Sequence, residues 1–315
     1  MKKCKKEWTR RDFIRGVAGA AVWGAVAPPV FSQVGAVDVK KVVEGKEAAS
    51  EAAAPETARV VLVRDRKVLE EGRKVNAEVL SRMLDDGVTT LLEEPDPKAA
   101  WSGLIKPGDT VGIKSNEWSF LPTPRELEEA IRARVLGAGV TPDRVSIGDR
   151  GVLKDPVFRK TTALINVRPL RTHHWSGVGS LIKNYVMFTA SPWEWHDDSC
   201  ADLAGLWDLP EVRGKTRLNI LVMLTPLFHG KGAHHYQAEY TWEYGGLIFG
   251  TDPVAVDATG VRIMEAKRKA YFGKDEPFAV SPGHIRVAEE KYHLGVADPD
   301  RIEIKKIGWM EDVLI

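Results

Sequence analysis

The chain has 315 residues, 45 Lys and Arg against 44 Asp and Glu, and 43% hydrophobic with 28% charged residues, an ordinary globular composition with length for a sizeable core. Its formal net charge of +1 gives no electrostatic case for binding nucleic acid. Seven basic and two acidic residues fall in the first 27, leaving 38 basic against 42 acidic after Ala27, which weakens that case further.

Residues 1–27 read as a targeting segment. Lys2, Lys3, Lys5 and Lys6 precede Thr9-Arg10-Arg11-Asp12-Phe13-Ile14-Arg15, a twin-arginine export pattern, and an apolar run over 16–26 ends at Ala25-Val26-Ala27, a small-x-small cleavage site. That run is well short of the roughly 20 residues needed to cross a bilayer, and no later stretch is apolar enough to span. The expectation is therefore export by the twin-arginine translocation machinery to a periplasmic or other extracytoplasmic location, with no membrane span in the mature chain. Only Cys200 remains after the signal, since Cys4 lies within it. One thiol makes no internal disulfide and cannot supply an iron–sulfur cluster, so none is expected.

Residues 28–57 are rich in Ala, Glu, Lys and Val without an apolar period, and read as a flexible linker to a single domain over 58–315. A β-branched run at 58–63 predicts a strand and 76–92 a helix. A Pro-Gly-Asp turn at 107–109 feeds a second strand at 110–114. Thr123 as N-cap, Pro124 as first helical residue and Glu126 as capping-box partner predict a helix to Leu136. Strands follow at 145–148 and 163–167, the latter closed by Pro169. Residues 218–224, 243–249 and 302–307 are further strands, and Thr251-Asp252-Pro253 starts a helix over 254–269. Strands alternating with helices predict an α/β fold, a mostly parallel, doubly wound sheet with helices on both faces.

Ligands in such folds bind at the carboxyl ends of the strands, and polar residues gather there. Lys114, Ser115, Asn116 and Glu117 follow the second strand, Asp149 and Arg150 the third, and Arg171, Thr172, His173 and His174 the fourth. Gly177 and Gly179 then open an amphipathic segment over 180–188 carrying Lys183 and Asn184. Free N–H groups at that helix start, with Lys114, Asn116, Arg171, Lys183, Asn184 and Lys231, suit a small anion. No Walker loop and no G-x-G-x-x-G is present, so a nucleotide is not implied. A tryptophan-rich loop at 192–198 reads as aromatic packing on the surface, with a lid as the alternative.

These motifs resemble the family called domain of unknown function 362. The resemblance rests on Leu164, Ile165, Asn166, Pro169, Thr172 and His173, then Gly177, Val178, Lys183 and Asn184, then Asp252, Pro253, Val254, Ala255 and Asp257, and it extends from about Arg59 onward. Arg171 stands where the family usually has Lys, which keeps the charge but removes an amine. Cysteine-rich ferredoxin-like segments found in some members are absent here.

Histidine chemistry is the natural use of such a site. His173 and His174 are candidate acid or base residues, with Lys183 and Asp257 beside them and Arg171 as clamp. His229, His234 and His235, in a glycine-rich loop, are candidate ligands for a divalent metal such as zinc, nickel or iron. Asp252 is expected to cap its helix. Asp257, one turn in among apolar residues, is expected to pair with Lys183, Arg171 or a histidine, so that Asp257→Asn impairs function with little loss of fold. The expected function is acid–base or metal-assisted chemistry on a small carboxylate or phosphate. The alternative is a periplasmic binding or cofactor-handling protein using the same pocket without turnover.

Overall fold

The structure, a computed structural model, describes residues 55–232 and 235–315. The expected signal, nearly all of the linker, and His234 lie outside the described residues. Eight strands form one sheet: β1 (Ala58–Arg64), β2 (Val111–Lys114), β3 (Val145–Gly148), β4 (Ala163–His173), β5 (Gly177–Gly179), β6 (Thr216–Leu227), β7 (Gly246–Gly250) and β8 (Ile302–Gly308). Their order is β3-β2-β4-β6-β7-β1-β8, with β5 paired to β4 off the main path. The fold is α/β with a mostly parallel sheet, as the alternating pattern implied. Two strands run against it: β7 is antiparallel to both β6 and β1, and β5 to β4.

Period-2 alternation decides what each face carries. Val61, Val63, Ile113, Ile165, Val167, Ile220, Val222, Leu247 and Phe249 share a core with three helices, α1 (Ala77–Leu92), α2 (Pro97–Leu104) and α3 (Arg125–Gly137). Leu80, Leu84 and Val88 of α1 and Leu127, Ile131 and Val135 of α3 supply the apolar stripes, at the spacing a helix needs to present one face. Intervening positions point to the other face, beneath α4 (Leu181–Asn184), α5 (Pro253–Phe272) and the irregular segment after α4. That second face is partly polar: Lys114, Asn166 and Asn219 lie level with one another on β2, β4 and β6.

Side-chain caps start three helices. Asn76 accepts from the Val79 amide, Asp96 from Ala99, and Asp252 from Val254 and Ala255. The expected capping box at Thr123 is corrected. Helix α3 begins at Arg125 on the Pro124 carbonyl, while the Thr123 hydroxyl accepts from Asn116 N–H at 3.1 Å and so ties the helix approach to the end of β2. Asp252 meets its expectation and adds a third amide, Val296 at 2.8 Å. Asp252→Ala should therefore lower stability by about 1–2 kcal/mol, at the upper end for a lost cap. A thermal melt that matches wild type would show the cap to be dispensable.

Candidate functional site

Strand β4 carries the site because it outruns its neighbour. β2 pairs only with residues 163–166 of it, whereas β6 follows it further, with a register shift between Pro169 and Arg171. Pro169, which has no N–H to donate, sits in this loosened stretch. The strand then folds back on β5, with Arg171 opposite Gly179 and His173 opposite Gly177. The expected strand end at Val167 is thus corrected to His173, and the glycines expected to open a helix belong to a strand. Gly177, at φ +73°, is needed for the turn, and any Cβ there would collide with the backbone around Val280.

Four cations and two carboxylates are buried around this overshoot: Lys114, Arg168, Arg171 and Lys183 against Asp149 and Asp257, none more than 5% exposed. Lys114 Nζ pairs with Asp149 at 2.5 Å and donates to the Ser115 carbonyl at 2.7 Å. Burial pulls the Lys114 ammonium down to about 8 although Asp149 opposes the shift. Burial alone would raise Asp149, but Lys114 and the Glu117 amide outweigh it and hold this carboxyl below its ordinary value. Asn116 bridges to Asp149 through its amide nitrogen and accepts from Arg171 at 2.9 Å. The Arg171 guanidinium lies 4.4 Å over the Trp118 ring. Lys114, Asn116, Asp149 and Arg171, drawn from three strand ends, are therefore one connected network.

Arg168 differs from its neighbours. Asp149 and Asp257 act on it through charge, yet its Nε has no hydrogen-bond partner, and the same holds for Arg171 Nε. Two adjacent buried guanidiniums thus keep unmet donors, which is costly unless something accepts from them.

Asp257 takes a role the sequence reading did not assign. Its carboxylate accepts from the Ser180 hydroxyl at 2.7 Å and from the Leu181 and Ile182 amides at 3.0 and 2.9 Å. The free N–H groups expected to bind an external anion are met by the protein's own carboxylate. Its expected cation or histidine partner is corrected accordingly: backbone amides hold Asp257, and Arg168 acts only through charge. Burial raises its carboxyl to about 6 against those three donors. Asn184 completes the anchoring by donating to the Asn166 side chain, the Lys114 carbonyl and the Val167 carbonyl, while Asn166 donates to Asn219. Asn184 is a strut between α4 and the sheet, and it also accepts from Lys114 at 3.4 Å.

Lys183 extends the site toward residues that motif spacing did not reveal. Its Nζ lies 2.9 Å from His196 Nε2 and 3.7 Å from Cys200 Sγ. Burial, then the nearby Arg168 and Arg171, bring the ammonium to about 8 despite the opposing sulfur. His196 belongs to the tryptophan-rich loop, whose Trp195 is buried as expected of packing, while Trp193 is exposed. Burial and Lys183 lower the His196 imidazole to about 4, and burial likewise takes His284, at the start of α6 (His284–Glu290), to about 3. His173 stacks on His174 at 4.8 Å, and its ring is 6.4 Å from His196. Burial and surrounding cations push His173 far below its usual range, so it is a neutral imidazole. The Trp175 amide donates to its Nδ1 at 3.2 Å, which places the ring proton on Nε2.

Thr172, His173, His174, Gly230, Lys231, His235, Tyr236 and residues 276–280 line an open cleft of about 640 Å³. Gly232, at φ +62°, packs its backbone against that of Thr172, so the glycine-rich loop closes over β4. His229 lines the cleft too, with its Nδ1 3.2 Å from Arg268 and its ring packed on Tyr240 and Phe272. His235 is exposed. Among the described residues no group of three or more His, Cys, Asp or Glu side chains is placed to hold a metal ion. Of the expected histidine triad, His229 and His235 both line this cleft, and His234 lies outside the described residues.

Fold and site together define an α/β protein with a buried cluster of cations at the carboxyl edge of its sheet, beside an open cleft. Residues 149–262 match the family model described as Domain of unknown function (DUF362), which supports the resemblance that the motifs carry. The matched segment holds Asp149, Arg168, Arg171, His173, Lys183, His196, Cys200 and Asp257, and leaves Lys114 and Asn116 outside. No curated protein and no solved structure matches the chain. Among the described residues no helix is long and apolar enough to cross a membrane.

Proposed function

We propose that this protein binds a small carboxylate- or phosphate-bearing molecule on Arg168 and Arg171 and carries out acid–base chemistry on it. The unmet donors of two adjacent buried guanidiniums are the observation that carries this reading: an anion accepting from both forks would satisfy them. Two surplus buried cations point the same way, because excess charge of one sign in a low-dielectric site strengthens the pull on a counter-ion. Lys183 and His196 form the proton-carrying pair, since an amine near 8 beside a neutral imidazole changes protonation close to neutral pH. His173 offers its Nε2–H as a donor, and His174 lines the cleft beside it.

Arg168→Met tests this directly. Removing a forked, charge-assisted contact should weaken binding of inorganic phosphate or a small carboxylate on the order of 100-fold in calorimetric titration. Thermal stability should hold or rise, because no hydrogen bond of Arg168 Nε is lost. Unaltered anion affinity would remove Arg168 from the site. Binding without any catalysed proton exchange would favour the reading without turnover, and stoichiometric zinc, nickel or iron in elemental analysis would favour the metal-assisted one. The export reading is likewise proposed on Thr9 to Arg15: Arg10→Lys with Arg11→Lys should retain the precursor in the cytoplasm.

A further inference from the structure

The two buried lysines of the site are held in opposite ways. Lys114 has a carboxylate at 2.5 Å and a carbonyl at 2.7 Å, which fix it as a structural cation. Lys183 has an imidazole nitrogen at 2.9 Å and a sulfur at 3.7 Å, and among the described residues no ion pair holds it. An ammonium that is desolvated, lacks a carboxylate and lies near two guanidiniums is destabilised relative to its free amine, which is the nucleophilic form.

A second observation concerns how the surroundings of Lys183 are built. Asp198, Ser199 and Cys200 are consecutive non-glycine residues with left-handed backbone, at φ +45°, +54° and +65°. Such conformations are unfavourable for side-chain-bearing residues and concentrate where a site requires them. Here they deliver Cys200 against Lys183, directly after the loop that delivers His196. The cleft is near: His173 lines it, and its ring lies 6.4 Å from that of His196.

We propose that Lys183 is a carbonyl-reactive amine that binds a 2-oxo acid covalently, with the carboxylate on Arg168 and Arg171 and the adjacent carbonyl carbon joined to Nζ as an imine. This rests on the anion-binding reading above and names its substrate class. A 2-oxo acid places an electrophilic carbon one bond from the carboxylate, so the group that satisfies the arginines also presents the carbon to the amine. A phosphate or simple carboxylate would occupy the same fork without using Lys183.

The step balances within these residues. Neutral Nζ adds to the carbonyl carbon, forming the C–N bond as the C=O π pair moves to oxygen. The proton released from nitrogen passes through His196 Nε2 to that oxygen. The resulting hydroxyl leaves as water after a second proton transfer from nitrogen, giving the imine with no net oxidation or reduction. An imine so placed acidifies the neighbouring C–H bonds, which gives the acid–base chemistry something to act on.

Sodium borohydride added to the full-length protein with pyruvate is the test. Reduction should leave one adduct, equal in mass to pyruvate less one oxygen atom, on the peptide containing Lys183. Labelling should increase as pH rises through about 8, where the amine loses its proton. Lys183→Arg should abolish the label, and propanal, which lacks the carboxylate, should label at least 10-fold less. If pyruvate binds in calorimetry and needs Arg168, yet the label is absent or spread over exposed lysines, the imine is wrong and the anion site stands. If neither pyruvate nor phosphate binds, the anion reading fails and the imine with it. Peptide mapping on the wild-type protein decides the matter even if Lys183→Arg does not fold.

Discussion

Asp257→Ala is expected to destabilise the protein by about 3–5 kcal/mol, the range for removing one partner of a buried charged network. The carboxylate is fully buried and satisfies the Ser180 hydroxyl and the Leu181 and Ile182 amides at once. Its loss strands all three donors where water cannot reach, and it leaves Arg168 facing only Asp149. Asp257→Asn keeps the shape but turns an NH₂ toward at least one N–H donor, so a loss of about 2 kcal/mol is expected, not the near-neutral effect on folding that the sequence suggested. Denaturant unfolding of both variants is the measurement. An Asp257→Asn protein as stable as wild type, with anion binding gone, would restore the purely functional role.

Acid should destabilise this fold earlier than ordinary carboxylate titration would. His284 and His196 are neutral in the folded protein, with imidazoles at about 3 and about 4, whereas in the unfolded chain they titrate near 6.5. Between those values the unfolded state binds more protons, so stability falls as pH drops below 6.5. Asp149, held below its ordinary value, adds a loss of the same sign at lower pH. Asp257 acts the other way: its folded value of about 6 makes the folded state bind more protons between about 4 and 6, which adds stability on acidification. Asp86, Glu128, Asp252 and Glu265, each raised by burial, act with Asp257, while the depressed imidazoles of His173 and His229 act with His284 and His196, and the net effect expected is a loss. Calorimetric melts should show Tm falling by roughly 5–10 °C from pH 7 to 4.5, as a loss of a few kcal/mol implies for a domain of this size. His284→Leu should flatten the slope. A Tm that is level or rising across that window would show these imidazoles to be charged in the fold.

Much of the architecture was legible in the chain because its causes are local. Apolar and β-branched runs at residues 58–63 and 163–167, the cap at Asp252 with Pro253 behind it, and alternation of strands with helices depend on neighbours within a few positions. They placed the polar residues at the carboxyl edge, where Lys114, Asn116, Asp149 and Arg171 do meet. Arg168 carried a signal that went unused: it continues the alternation of Leu164 and Asn166, so a charge was bound to fall on the same buried face. The overshoot of β4 had no such signal. Pro169 normally ends a strand, and it is tolerated only because β2 stops at Lys114 and leaves nothing to pair with, a fact about a different segment.

Charges and motifs alone, as sequence, pointed to a cluster of cations at one sheet edge and to the family whose model matches residues 149–262. Tertiary structure decided which donors are already spent. Asp257 fills the helix start that looked open to an external anion, Asp149 occupies Lys114, and His196 of the tryptophan-rich loop and Cys200 just beyond it reach Lys183. Hydrogen-bond satisfaction depends on atoms within about 3 Å, and no spacing along the chain fixes which distant segment will supply them. The guanidinium donors left unmet, Arg168 Nε and Arg171 Nε, are visible only once every other partner has been assigned.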